Sequence, residues 1–288
     1  MNLLITGANG QLGNEMRNLS LQHTSHTYFF TDVAELDITN REAVHTFVKD
    51  NAIDLIVNCA AYTNVDKAEE DEPTARLINA EAVANLASAG ARVIHISTDY
   101  VFSGERWIPC REDDPVAPRT AYGRTKYEGE QLLLSLCPEA IIFRTAWLYS
   151  PYGNNFVKTM IRLGLERQDL GVVFDQVGTP TCAADLAQAI FAAIEAPQWH
   201  AGIYHFTDEG VCSWFDFTIE IHRLYNQLTD GQRITCRVRP ILSSEYQYKT
   251  PRPHYSVLDK AKVKQTFGIE VPYWTDSLRS CIAKLLKD

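Results

Sequence analysis

Short, nearly continuous apolar runs alternate with helically spaced segments through the first half of the chain. The runs cover residues 3–6, 28–31, 55–58, 93–97 and 141–144, and each is rich in β-branched or aromatic side chains. Unbroken apolar character over so few residues predicts strands buried on both faces. Between them, residues 74–89 and 121–136 carry apolar positions at helical spacing. Strand, helix, strand, helix predicts an α/β fold, a Rossmann-like doubly wound parallel sheet over residues 1–150. In such a sheet ligands bind outside the carboxyl ends of the strands. The residues that follow each apolar run are therefore the ones to read for chemistry.

Past residue 150 the rhythm changes. Helical patterns over 156–166, 185–196, 214–228 and 274–286 alternate with short strand-like pieces, punctuated by Gly178-Thr179-Pro180 and Pro251-Arg252-Pro253. Residues 151–288 are expected to form a smaller C-terminal α/β part, mainly substrate-binding, with some segments returning to pack on the sheet. The sequence carries no internal repeat and no low-complexity tract.

The formal charge of −9 argues against a nucleic-acid partner, since phosphate backbones are met by basic surfaces. An anionic substrate would need positive charge gathered locally against that sign. The first residues run straight into a strand and a glycine turn, unlike a secretory leader. No run approaches the roughly 18 apolar residues of a membrane span. The seven cysteines are scattered and form no Cys-x-x-Cys pair, which reads as reduced thiols used for packing in a cytoplasmic protein.

Gly7-Ala8-Asn9-Gly10-Gln11-Leu12-Gly13 follows the first run at once and leads into a helical pattern. Glycines there let the chain turn tightly and bring backbone N–H groups, with the positive end of a helix dipole, against a pyrophosphate. The Gly-x-x-Gly-x-x-Gly spacing differs from the Gly-x-Gly-x-x-Gly of other dinucleotide folds. Asp32 ends the second run, where a carboxylate either accepts from adenosine ribose hydroxyls or sits solvated in a loop. On the first reading it repels a 2′-phosphate, so NADH is expected over NADPH. Asp37 and Ile38 lie where an adenine pocket would close.

Tyr122 and Lys126 are four residues apart and share one helix face. A free phenol titrates near 10, too high for easy proton transfer at neutral pH. A neighbouring ammonium and an oxidised nicotinamide both favour the phenolate and bring that value down. The run at 93–97 continues as Thr98-Asp99-Tyr100-Val101-Phe102, so a hydroxyl at its end would face the crevice. Thr98 is the first choice, with Ser97 the competitor. His95 reads as a core histidine.

With the glycine loop, Ser97-Thr98-Asp99-Tyr100-Val101-Phe102 and Tyr122-Gly123-Arg124-Thr125-Lys126 in order, the chain resembles the extended short-chain dehydrogenase/reductases. More narrowly it resembles the dTDP-4-dehydrorhamnose reductase family. Asn58-Cys59-Ala60-Ala61-Tyr62-Thr63, Phe143-Arg144-Thr145-Ala146-Trp147, Asp175-Gln176-Val177-Gly178-Thr179-Pro180-Thr181 and Arg252-Pro253-His254-Tyr255-Ser256 extend the likeness over nearly the whole chain. The resemblance implies NADH- or NADPH-dependent reduction at C4 of a dTDP-linked 4-keto-6-deoxy sugar, giving dTDP-L-rhamnose for surface polysaccharide. It implies that Tyr122 is the proton donor and that Lys126 anchors the ribose and tunes Tyr122. It also implies that Thr98 and Asp99 contact the sugar, that Trp147 contacts substrate, and that Ala61, Tyr62 and Thr63 line the cofactor. Arg252, mounted between prolines, either reaches a diphosphate bidentately or is a surface arginine. Trp147 has a core aromatic as its plain alternative, and Lys158 and Arg162 read as a solvated face.

Some members of that family are linked with magnesium and carboxylate-bridged dimers. Ala183 and Ala184 stand where the corresponding glutamate is expected, so no metal site is assigned and a monomer or weak homodimer is expected. A nucleotide-sugar 4,6-dehydratase would carry an Asp-Glu pair after the threonine, whereas Tyr100 follows Asp99 here. An epimerase of the superfamily would retain bound NAD. From another class, the regulatory subunit of methionine adenosyltransferase resembles these reductases and acts as a binding partner. Retention of Thr98, Tyr122 and Lys126 favours an enzyme.

Overall fold

The computed structural model describes residues 1–287. Its central sheet is parallel throughout, in the order Gly202–His205, Ile141–Thr145, Arg92–Thr98, Leu55–Asn58, Asn2–Thr6, Thr27–Thr31. The strands expected in the first half coincide with these to within a residue at each end. The sequential order reverses at Asn2–Thr6, which lies between Thr27–Thr31 and Leu55–Asn58. That reversal opens a crevice at the carboxyl ends of the strands.

Helices cover both faces, as strands that are apolar on both sides require. One face packs Leu12 and Met16 of the first helix and Leu186, Ile190 and Phe191 of helix Ala183–Ile194 against Leu3, Ile5 and Val57. The other packs Val44, Val83, Leu86 and Leu133 against Leu4, Ile56 and Val93. Segments beyond residue 150 thus return to the sheet: Gly202–His205 pairs beside Ile141–Thr145, and helix Ala183–Ile194 lies on the first helix. The remaining C-terminal chain gathers helices Phe156–Glu166, Trp214–Leu228 and Trp274–Leu285 around a third core containing Phe217, Ile221 and Leu278. No helix among the described residues is long and apolar enough to cross a membrane.

The segment expected as one helix over 74–89 is built differently. Asn64 and Asp71 each cap a helical start, accepting from Lys67 N at 3.0 Å and Thr74 N at 3.2 Å, so the chain enters as two short helices. Pro73 suits a first turn because it has no N–H to leave unpaired. A π-helical turn at Leu77–Glu81 then interrupts the run before it resumes at Ala82–Ala87. Periodicity cannot register such a one-residue widening. Its consequence is tertiary: a Cβ built on Gly129 would lie 2.0 Å from the carbonyl oxygen of Asn79, so glycine lets helix Ala121–Leu136 rest directly on the widened turn.

That helix is tied to the sheet by charge as well. Arg144 donates to Glu130 through Nε at 2.9 Å and a terminal nitrogen at 2.6 Å, with both side chains buried. The Arg144 guanidinium also lies over the ring of Phe102. Removing one partner of such a pair leaves a desolvated charge, which is more damaging than never having built the pair. Glu130→Gln is therefore expected to lower the unfolding free energy by about 3–5 kcal/mol in urea denaturation. A loss below 1 kcal/mol would mean that water reaches Arg144.

Candidate active site

A cleft of about 950 Å³ runs along the carboxyl ends of the strands and on between the sheet and the C-terminal core. Gly10, Gln11 and Leu12 line it from the glycine turn, Thr98, Tyr122 and Lys126 from the sheet and helix Ala121–Leu136, and Trp147, Trp214 and Arg252 from beyond the fifth strand in sequence.

The glycine turn is built by close backbone approach. Gly7 takes φ +63°, and a Cβ on Gly13 would lie 2.4 Å from the Gly7 carbonyl oxygen. Helix Gln11–Ser20 starts from Gly10, so its free N–H groups open at the cleft. These bare backbone donors fit the diphosphate of a nicotinamide dinucleotide, and Lys126, lining the same cleft, suits its ribose hydroxyls. Gly7 and Gly13 shape the turn from behind and do not line the cleft.

Asp32 accepts from Asn9 N–H at 3.0 Å and from its neighbour Val33 N–H at 2.9 Å, so the carboxylate braces the glycine turn. Asp37 closes its own turn by accepting from Thr39 N and Oγ1, and Ile38 is buried in the core beneath. Ala61 and Thr63 line the cleft. Tyr62 instead packs with Tyr122 around Ala68, Ala75 and Ala121. Its backbone is clamped by Asn79, which accepts from Tyr62 N at 2.9 Å and donates to Tyr62 O at 3.1 Å.

Thr120 caps the helix that carries Tyr122 and Lys126, accepting from Gly123 N at 3.0 Å. Thr98 Oγ1 donates to Asp99 Oδ1 at 2.9 Å and accepts from Tyr100 N at 3.2 Å. The ring of Tyr122 is partly open to the cleft, and the edge of Tyr100 meets it with centroids 5.4 Å apart. Burial pushes the Tyr122 phenol up to about 12, with the nearby Thr98 hydroxyl opposing that rise and the Asp99 charge adding to it. The expected lowering by Lys126 is absent because its side-chain nitrogen points elsewhere. Lys126 Nζ donates to Ile96 O at 2.6 Å and meets His95 Nε2 at 3.2 Å. Burial lowers Lys126 to about 8, against an opposing pull from Glu130. Burial raises Asp99 to about 6, offset in part by the neighbouring hydroxyls of Ser256 and Thr98.

Trp147 takes φ +50°, an unusual conformation for a bulky side chain, and lies flat on Trp214 with ring centroids 3.5 Å apart. Arg252 donates to Asp66 at 2.8 Å, while a second terminal nitrogen is buried without a partner. Lys158 bonds the carbonyl of Pro151, and Arg162 pairs with Glu166 on the exposed helix face. Cys59, read as a packing residue, also lines the cleft.

Several cleft residues escaped the sequence reading. Trp214, Ser256, Arg167 and the Tyr246–Tyr248 pair reach the cleft from separate loops and helix ends of the second half. Spacing along the chain carries no sign of that convergence. Ser256 alone had a cue, inside the stretch that begins at Arg252.

A family model described as "RmlD substrate binding domain" matches residues 1–287. A dTDP-4-dehydrorhamnose reductase of Aggregatibacter actinomycetemcomitans is 40% identical, over 96% of this chain and 97% of its own. The crystal structure of a dTDP-4-dehydrorhamnose reductase from Clostridium acetobutylicum superposes with a TM-score of 0.93 at 45% identity, covering 100% of both chains. One from Bacillus anthracis, solved in complex with NADP, gives 0.91 at 39% identity over 98% of this chain and 99% of that one.

The glycine turn yields a direct expectation. Gly13→Ala forces the Gly7 carbonyl out of its place and should weaken dinucleotide binding at least about tenfold by titration calorimetry. Unchanged affinity would mean that the turn is not the phosphate seat.

Proposed function

Because the chain belongs to the dTDP-4-dehydrorhamnose reductase family, we propose that it reduces the C4 keto group of dTDP-4-dehydro-L-rhamnose to dTDP-L-rhamnose with NADH or NADPH. The observation that carries this reading is one cleft holding the bare glycine turn, Lys126, Tyr122 and Thr98 together. A reduced nicotinamide bound along Gly10, Gln11, Leu12, Ala61 and Thr63 supplies the hydride for the carbonyl carbon. Tyr122 transfers its phenolic proton to the carbonyl oxygen as negative charge develops there. A phenol pushed up to about 12 is fully protonated at neutral pH, the form a donor needs. Lys126 anchors the ribose and, once its ammonium turns toward the cleft, stabilises the tyrosinate left behind.

Thr98 orients the carbonyl from the end of its strand, with its hydroxyl held by Asp99. The stacked Trp147–Trp214 wall covers the sugar's apolar face. Arg252, held by Asp66 with one nitrogen spare, meets the diphosphate. Its charge and those of Lys126 and Arg167 supply positive potential inside an acidic chain. In this reading residues 1–150 hold the dinucleotide and 151–288 mainly the sugar nucleotide. The protein works as a cytoplasmic monomer or weak homodimer, an assignment that sedimentation at assay concentrations checks.

The reaction is tested by mixing protein with dTDP-4-dehydro-L-rhamnose and following loss of reduced-nicotinamide absorbance together with formation of dTDP-rhamnose. No oxidation with intact substrate and folded protein would overturn the assignment. Tyr122→Phe should reduce kcat by at least about 10²-fold while keeping dinucleotide affinity. Turnover near the parent's would remove Tyr122 as donor. Asp32 favours NADH through repulsion of a 2′-phosphate, whereas the Bacillus anthracis relative was solved with NADP. Asp32→Ser is expected to shift the ratio of kcat/KM toward NADPH by about tenfold, the effect of roughly 1.4 kcal/mol. An unchanged ratio would leave Asp32 as a brace of the turn alone.

A further inference from the structure

Lys126 ends a buried hydrogen-bonded chain that crosses three strands. Thr6 Oγ1 donates to Asn58 Oδ1 at 2.7 Å, Asn58 Nδ2 meets His95 Nδ1 at 3.0 Å, and His95 Nε2 meets Lys126 Nζ at 3.2 Å. All four side chains are essentially sealed from solvent.

The donors and acceptors along this chain can be assigned in one direction. The backbone N–H of Ala60 donates to Asn58 Oδ1 at 3.1 Å. An N–H cannot accept, so the amide oxygen of Asn58 must face Ala60 and its NH₂ must face His95. His95 Nδ1 then has to be the bare nitrogen. Burial, reinforced by the neighbouring Lys126, holds the imidazole neutral, so its one proton sits on Nε2 and points at Lys126. An ammonium there would set N–H against N–H. A neutral amine accepts from His95 through its lone pair and still donates to Ile96 O.

We propose that at mildly alkaline pH His95 stores Lys126 as a neutral amine in the free protein, so that dinucleotide binding there draws a proton from solvent onto Nζ. His95 is on this account a positioning residue that sets the protonation state of Lys126. The inference rests on the cofactor role given to Lys126 above. The dinucleotide brings phosphate charges and ribose oxygens, which are acceptors that an ammonium with three N–H groups satisfies. The titratable and charged groups around Nζ are consistent with both states. Tyr122 and Glu130 share its helix, His95 lies on the adjoining strand, and Asp99 and Cys59 line the same cleft. The Glu130 charge is already taken by Arg144.

The sign follows from the shift. A lysine lowered to about 8 when free and restored to its ordinary range when bound takes up protons in the window between those values. About three-quarters of a proton should enter per NADH at pH 8.5, and about a tenth at pH 7. Isothermal titration with NADH in buffers of different ionisation enthalpy measures that number, and NADH carries no 2′-phosphate to titrate in its place.

Asn58→Asp provides the opposing variant. A carboxylate accepts from Thr6, Ala60 and His95 alike, which moves the imidazole proton to Nδ1 and bares Nε2 to an ammonium. Uptake at pH 8.5 should then fall toward zero at nearly unchanged side-chain volume. NADH binding without buffer dependence at pH 8.5, or full uptake by Asn58→Asp, would overturn the proposal. If the variant does not fold, the two pH values on the parent protein decide it alone. Turnover of the keto-sugar on the same preparation separates the readings. Activity without proton uptake sinks this inference and leaves the reductase standing, whereas failure to bind any dinucleotide removes both.

Discussion

A guanidinium and a carboxylate buried together between helix Ala121–Leu136 and strand Ile141–Thr145 constrain everything that happens in the cleft. Arg144 and Glu130 can occupy that interior because each meets the other at two points. The helix therefore has one depth and one rotation at which it can dock. Gly129 sharpens the same constraint, since any side chain would collide with Asn79. Tyr122 and Lys126 lie two turns and one turn before Glu130 on the same helix, so their placement in the cleft is set by a contact outside it.

The reacting groups are prepared mainly by loss of water. Burial keeps the Tyr122 phenol protonated and lowers Lys126. In the proposed reaction those two shifts suit different needs: a donor that holds its proton until charge develops on the substrate, and a lysine whose charge is completed by the cofactor. The absence of Lys126 from the surroundings of the phenol in the free protein joins these two facts. The lysine is turned down toward Ile96 and His95, so in the proposed mechanism its help to Tyr122 comes only with the dinucleotide.

The overall negative charge of the chain and an anionic sugar nucleotide are reconciled by placement. Lys126, Arg167 and Arg252 line one cleft, and Arg252 keeps a buried nitrogen without a partner. The Trp147–Trp214 stack supplies apolar surface in the same cleft, with Trp147 in a left-handed backbone conformation.

Much of this was legible in the residues. Apolar runs of four or five positions located the strands because burial on both faces leaves no room for polar alternation. Helix Ala121–Leu136 and the glycine turn followed from equally local rules of spacing and backbone freedom. The pairing of Tyr122 with Lys126 did too, since four residues along a helix place two side chains on one face. The widened turn at Leu77–Glu81, the approach of Gly129 to Asn79, and the gathering of Trp214, Ser256 and Arg167 around one cleft have no such local origin. The direction of Lys126 belongs with them. His95 reads as an ordinary core residue in its strand, and it becomes the partner of a reactive lysine because strands far apart in sequence align Thr6, Asn58 and His95 side by side. Short-range sterics and burial are written in the order of residues, whereas the polarity of a hydrogen-bonded chain exists only after its members have been brought into contact.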